Sequence, residues 1–238
     1  VPNAQTVYIL VVGNATNTAP NNGGFGCYNI VPLELIVDPL PGAVQPTDRY
    51  EVCDDEIAGV STSTDGFSSF DLTSYDAAIT AGDTTLLVTW YASLADEAAD
   101  NPIADPSDYR NSVINEQTVV ARVTDVRSCH VTVLLTLRVL PNPTPQIPEP
   151  LEVCDDDNDG FSSFDLSLRD LEVVGVQTGM VVTYHETQSD ANNGVNILPI
   201  PYDNIVPSVQ TVYIRVESGS TGCYDTVELI LLVNPIPD

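Results

Sequence analysis

The sequence predicts an all-β chain of tandem immunoglobulin-like β-sandwich repeats joined by proline-rich linkers. Three observations predict it. The chain repeats itself at a constant offset, each repeat is a series of short β-branched runs, and prolines cluster between the repeats.

The repeat comes first because it sets the numbering. Asp65, Asp71, Trp90, Asp96, Cys129, Val139 and Pro141 recur as Asp159, Asp165, Tyr184, Asp190, Cys223, Val233 and Pro235, at an offset of 94. Gln117-Thr-Val and Arg122 recur at 93, as Gln210-Thr-Val and Arg215. Cys53 and Cys154 stand 101 apart, because seven extra residues within 57–64 interrupt the first copy of an acidic loop. Residues 1–41 repeat the tail of the same unit, with Gln5-Thr-Val-Tyr and Cys27-Tyr matching Gln210-Thr-Val-Tyr and Cys223-Tyr. The expected organisation is the C-terminal part of one repeat over 1–41, a second repeat over 47–143 and a third over 148–238. The first residues read as a strand already inside a domain, so the chain is expected to be an internal piece of a longer protein.

Within a unit, residues 84–91, 118–123 and 131–139 are β-branched runs, echoed by 180–185, 211–216 and 226–233. A unit of this size with several short strands fits an immunoglobulin-like sandwich. A single turn of helix can follow Leu72 or Leu166. Proline then crowds 38–41, 141–150 and 235–237. It cannot donate to a sheet ladder, so it marks the ends of last strands.

Charge bounds the partners. There are 34 acidic residues against seven basic ones, all arginine, for a net charge of −27. That excludes nucleic acid and anionic membrane as electrostatic partners and favours divalent cations. Hydrophobic residues make up 43% of the chain, with ten tyrosines, too many for a solvated acidic tail. No run of 18 apolar residues is present, so no membrane-spanning helix is expected.

The loop after Cys154 holds the densest charge. Asp155, Asp157 and Asp159 alternate and Gly160 follows, the D-x-D-x-D-G grammar of a calcium loop. A hard cation wants six to eight oxygens, and the glycine lets the backbone turn back around it. The expected Ca2+ ligands are Asp155, Asp157 and Asp159 with the carbonyl of Phe161 and the carboxylate of Asp165. No amphipathic helix flanks the loop, and Asp165 falls one place early for a helix–loop–helix hand. The alternative is a solvated turn whose aspartates cap backbone amides. In the middle repeat the corresponding set is Asp54, Asp55, Asp65 and Asp71, split by the insertion. Asp96 and Asp190 read as turn caps, and Phe67, Phe70, Phe161, Phe164, Trp90 and Tyr184 as core. His130 and His185 occupy non-equivalent positions without a nucleophile in context, and no phosphate-binding glycine loop is present. No enzymatic activity is expected.

Each whole unit carries one cysteine before its acidic loop and one before its last strand. The expected bridges are Cys53–Cys129 and Cys154–Cys223, on the argument that a repeat must be stable wherever it is copied. Cys27 is left to a residue outside the chain. The rival pairing is Cys27–Cys53 with Cys129–Cys154. Closing either intra-repeat loop is worth roughly 4 kcal/mol in the chain-entropy model. Paired cysteines in an acidic, lysine-free array argue for an oxidising, extracellular setting.

The whole pattern resembles a known repeat type. Leu-Glu-Val-Cys154-Asp-Asp-Asp-Asn-Asp-Gly-Phe-Ser-Ser-Phe-Asp-Leu, Val-Thr-Tyr-His185, Asp190-Ala, Gln-Thr-Val-Tyr-Ile-Arg-Val216, Gly-Cys-Tyr-Asp225 and a closing Pro-Ile-Pro are similar to repeats of giant cell-surface proteins of Bacteroidota. Those proteins look like adhesins exported by the type IX secretion system, including the gliding-motility adhesins of flavobacteria. The resemblance covers the chain. It implies secretion, surface anchoring and a stalk or adhesive role. The implied partners are neighbouring repeats, the secretion machinery and surface glycans or other cell-surface proteins. The middle repeat departs from it at the interrupted loop and at Ser-Cys129-His-Val. An alternative function is a carbohydrate-binding or accessory module of a larger secreted enzyme.

Overall fold

The computed structural model describes residues 3–12, 28–55 and 62–235. In chain order the strands are β1 (Asn3–Val12), β2 (Tyr28–Val37), β3 (Tyr50–Cys53), β4 (Ser69–Phe70), β5 (Leu87–Tyr91), β6 (Tyr109–Arg110), β7 (Glu116–Thr124), β8 (His130–Leu140), β9 (Leu151–Cys154), β10 (Ser163–Phe164), β11 (Met180–His185), β12 (Tyr202–Asp203), β13 (Val209–Ser218) and β14 (Tyr224–Asn234). Short helices α1 (Asp76–Ile79), α2 (Leu94–Ala98), α3 (Asp170–Val174) and α4 (Gln188–Asn193) fall between them. The protein is mostly β, built as tandem β-sandwich repeats. Among the described residues no helix is long and apolar enough to cross a membrane.

The third repeat, expected over 148–238, shows the plan most fully in its described residues. One sheet runs β11-β13-β14-β9, and a two-stranded ribbon pairs β10 with β12. Residues alternate because successive side chains point to opposite faces of a strand. On β14, Leu229, Leu231 and Val233 are buried; on β13, Val212, Ile214 and Val216 are. Tyr184 of β11 joins them, and Phe164, Leu166, Val173, Leu198 and Tyr202 complete that core from the ribbon, α3 and the connecting segments. The helix turns expected after Leu72 and Leu166 are present, each a 3₁₀ turn running on into α1 or α3.

The other repeat copies this plan with the order β3-β8-β7-β5 and the ribbon β4–β6. Val133, Leu135, Leu137 and Val139 of β8 are its buried row. The two-stranded hairpin β1–β2 carries the tail of the same motif. Gln5 faces Leu35 and Tyr8 faces Pro32, as Gln210 faces Leu231 and Tyr213 faces Glu228. The hairpin therefore has the register of β13–β14, with Tyr8, Leu10, Ile30 and Leu35 exposed.

By its contacts the chain divides into two compact units. One comprises 1–46, 74–103 and 120–134, and holds β1–β2 and the pairing of β5 with the C-terminal part of β7. The other comprises 47–73, 104–119 and 135–238, and holds β3 against the end of β8 together with all of β9 to β14.

One local feature fixes where the cysteines go. β3 and β9 join their sheets in parallel with the last strand of the repeat. Val52 lies beside Val139 and Cys53 beside Leu140; Val153 lies beside Val233 and Cys154 beside Asn234. Each acidic loop therefore leaves its four-residue strand beside the C-terminal end of an eleven-residue one.

The acidic loops and the disulfide

Parallel pairing rules out the expected bridges. Cys53 sits at the end of β8 and Cys129 just before its start; Cys154 and Cys223 have the same relation to β14. At about 3.3 Å per residue, eleven strand residues separate the two by some 35 Å, whereas a disulfide needs Cα atoms within about 7 Å. The observed bond is Cys53–Cys223, with Cα atoms 5.5 Å apart and a sequence separation of 170. Cys129 and Cys154 are free thiols, half-buried and exposed respectively. Both the intra-repeat pairs and the rival Cys129–Cys154 pair are thus corrected. Cys27 lies outside the described residues.

In the loop after Cys154, one carboxylate oxygen from each of Asp155, Asp157 and Asp159 lies within 4.8 Å of the others. Asp155 organises the turn. It is buried at 4% exposure, and its Oδ1 accepts from the amides of Asn158 (2.8 Å) and Asp157 (3.3 Å). Its Oδ2 accepts from Gly160 N at 2.8 Å. Burial works to raise the Asp155 pKa, but the amides of Gly160, Asn158 and Asp157 outweigh it, and the carboxyl is held below the usual range. Asp157 goes the other way: burial, with the Asp159 charge, holds its proton more tightly despite the bond from Asp159 N. Asp159 accepts from Phe161 N at 2.8 Å.

Calcium–oxygen bonds of about 2.3–2.6 Å would let one ion touch all three clustered oxygens. The donor set is all carboxylate, which suits a hard cation. Asp165, expected as a further ligand, accepts from Ser167 N and so caps the turn that opens α3. Phe161 is 41% exposed, and Phe67 is half-buried, so neither is the core anchor expected of it. Each directly follows the αL glycine of its loop, and Phe161 N is turned back onto Asp159. Phe70 and Phe164, one per ribbon, are the buried pair.

Gly160 is required by its surroundings. Its φ is 82°, and a Cβ there would meet Pro207 Cβ at 2.8 Å and Ser208 N at 3.1 Å.

The interrupted loop solves the same charge problem differently. Asp54 is buried like Asp155 and accepts from Gly66 N at 2.6 Å. Asp55 and Asp65 face Arg110, at 2.8 and 3.9 Å. The guanidinium also donates to the Phe67 carbonyl at 3.0 Å. Arg110 stands opposite Ser69 in the ribbon; in the other repeat the residue opposite Ser163 is Asp203. One repeat places a cationic side chain against its acidic loop where the other places one more carboxylate. Asp71 accepts from Thr73 N at 3.1 Å, as Asp165 does from Ser167.

The supporting polar groups are repeated too, and sequence reasoning passed over them. Asn111 Oδ1 accepts from Ser68 N, and its Nδ2 donates to Gly66 O and Val113 O. Asn204 does the same for Ser162, Gly160 and Val206. Gln117 donates to the Tyr109 hydroxyl as Gln210 does to Tyr202. The shared spacing Tyr-x-Asn-x5-Gln, at 109–117 and 202–210, was the legible signal. Trp90 and Tyr184, each 2% exposed, donate to Asp76 (2.9 Å) and Asp170 (2.6 Å), so neither forms a sugar-stacking surface. Asp96 and Asp190 sit in capping boxes with Ser93 and Thr187, the turn role expected of them.

Comparison with known proteins agrees with the repeat. The model of the Flavobacterium inter-domain disulphide bond domain matches residues 48–145 and again 150–237. No curated protein sequence matches the chain. Among solved structures, human mucin-like protocadherin EC1-2 is similar at 13% identity, over 64% of this chain and 86% of that one, with a TM-score of 0.23. Drosophila N-cadherin EC1-4 is similar at 10% identity, over 97% of this chain but 58% of that one, with a TM-score of 0.23. Sidekick-1 immunoglobulin domains 1-4 are similar at 8% identity, over 99% and 70%, with a TM-score of 0.25. These scores establish no shared fold, so the fold rests on the strands described above.

Proposed function

Because the chain belongs to the Flavobacterium inter-domain disulphide bond domain family and carries two tandem copies, we propose that it is a non-catalytic stalk segment of a secreted, cell-surface adhesin. What carries the reading is the Cys53–Cys223 bond, which joins one family domain to the next. A disulfide of this kind persists only where the surroundings are oxidising, outside the cytoplasm. Cys154 occupies in its repeat the place of Cys53, and Cys129 the place of Cys223. In a longer array Cys154 would bond to a following repeat and Cys129 to a preceding one, so that every joint is stapled. Such a rod suits surface attachment or gliding, where many weak contacts held at fixed spacing act together. Calcium in the loop of Asp155, Asp157 and Asp159 would offset carboxylate repulsion in a chain of net charge −27.

Single-molecule stretching tests the stalk role. Pulled from its ends under oxidising conditions, the chain should hide the segment between the bonded cysteines, which stand 170 positions apart. Reduction should add that hidden length, roughly 3.4 Å per residue, and a chain that extends equally far in both states refutes a stapled stalk. Thermal unfolding with calcium and then with chelator tests the loop. A midpoint that rises with calcium, and no longer does so in Asp157→Ala/Asp159→Ala, supports the ion; indifference to calcium removes it.

A further inference from the structure

Two buried polar atoms beside the disulfide have nothing to bond to. Asp54 Oδ1 and Asn142 Oδ1 are both buried without a hydrogen-bond partner. Asp54 as a whole is only 7% exposed, and a buried acceptor left unmade costs far more than a bonded one returns. Its counterpart Asp155 engages both carboxylate oxygens with backbone amides, whereas Asp54 keeps only the bond from Gly66 N. Asn142 is oriented by its own amide, because Nδ2 donates to the Asp54 carbonyl at 2.9 Å and leaves Oδ1 as the remaining atom.

Both residues line one cavity of about 590 Å³, together with Asp225, Thr226 and Cys53. Among the described residues no arginine, lysine or histidine lines it. Among the described residues Arg110 forms its ion pairs with Asp55 and Asp65, and none is formed by Asp54 or Asp225. The disulfide assembles the group: Asp54 follows Cys53 directly and Asp225 lies two residues after Cys223. Asp225 Oδ1 is used by Thr226 N at 2.7 Å, and its carboxylate keeps further acceptor capacity.

We propose that this cavity holds a hard divalent cation of the calcium class, ligated by the side-chain oxygens of Asp54, Asn142 and Asp225. The donors are all oxygen and two are carboxylates, the chemistry such an ion selects. Three protein ligands leave positions for water, and the cavity has room for them at about 30 Å³ each. The site is distinct from the loop of Asp155, Asp157 and Asp159 and particular to this joint. At the offset of 94, Val131 replaces Asp225 and Ile236 replaces Asn142.

Calcium stoichiometry decides the matter. The oxidised chain carrying Asp157→Asn and Asp159→Asn, which silences the other acidic loop, is titrated with calcium by equilibrium dialysis up to about 10⁻³ M, the range of extracellular modules. One calcium per chain is expected, weakened about tenfold or more by Asp225→Asn and separately by Asn142→Ala. Counting free thiols, whose number should match that of the parent chain, shows that each variant still folds and closes its disulfide. No uptake by the loop-silenced chain would mean that water fills the cavity, and would overturn the proposal. So would uptake that both cavity substitutions leave unchanged. Either result leaves the stapled stalk intact, because the stretching measurement does not involve calcium.

Discussion

Cys53 is bonded to Cys223, 170 residues away and in the next repeat, rather than to Cys129 in its own. The parallel entry of β3 and β9 beside the last strands puts the two cysteines of each repeat at opposite ends of a sheet. A covalent joint between neighbours follows from strand direction alone.

The joint should dominate stability. Cys53→Ser or Cys223→Ser is expected to cost roughly 2–5 kcal/mol, the chain-entropy value for so long a loop lying at the upper end. Cys129→Ser and Cys154→Ser should cost nothing measurable. Urea unfolding of the four variants, with fluorescence of the single tryptophan Trp90 as one probe, checks the contrast. Equal losses in all four would mean that the bond is not the source.

Gly160→Ala should destabilise the 150–237 repeat by about 1–3 kcal/mol. The αL backbone and the close approach of Pro207 and Ser208 both oppose a side chain. Gly179→Ala is the control: its φ is 73°, but no atom lies within 4 Å of a Cβ there. Denaturant midpoints should rank Gly160→Ala as the more costly.

Arg110→Ala should cost about 1 kcal/mol, since the ion pair with Asp55 is only partly exposed and the Phe67 carbonyl also loses its donor. Raising the salt concentration should shrink the electrostatic part of that loss. A loss independent of salt would assign the effect to packing of the arginine stem.

Acid should loosen both repeats through their capping boxes. The Thr187 hydroxyl first, then Asn196, holds the Asp190 carboxyl below its ordinary value; Ser93 and then Asn101 do so for Asp96. A depressed folded-state pKa contributes stability that is present above the unfolded value, near 3.8, and lost as pH falls through the folded value. Thermal midpoints followed from neutral pH to about pH 2.5 should fall less steeply in Asp96→Asn/Asp190→Asn than in the parent chain. Parallel curves would show that these caps do not carry the acid sensitivity.

Local chemistry made much of this protein legible in one dimension. The offset of 94 identified the repeat, β-branched runs located the long strands within a few residues, and Asp96 and Asp190 were readable as turn caps, although the short helices they open were not. Trp90 and Tyr184 were readable as core because large aromatics at one strand position in both repeats have little else to do. The alternating aspartates before Gly160 were readable as a tight acidic turn, since their bonds run to amides two to five residues away.

Tertiary structure decided what depended on partners far away in sequence. Arg110 reaches Asp55 across 55 residues, and only the ribbon register β4–β6 brings them together. Asp54 and Asp225 share a cavity because a disulfide 170 residues long draws their neighbours together. The cysteine pairing itself turned on whether a four-residue strand enters its sheet parallel or antiparallel. Composition and spacing are the same for both directions, and only the direction sets which end of the domain each thiol reaches.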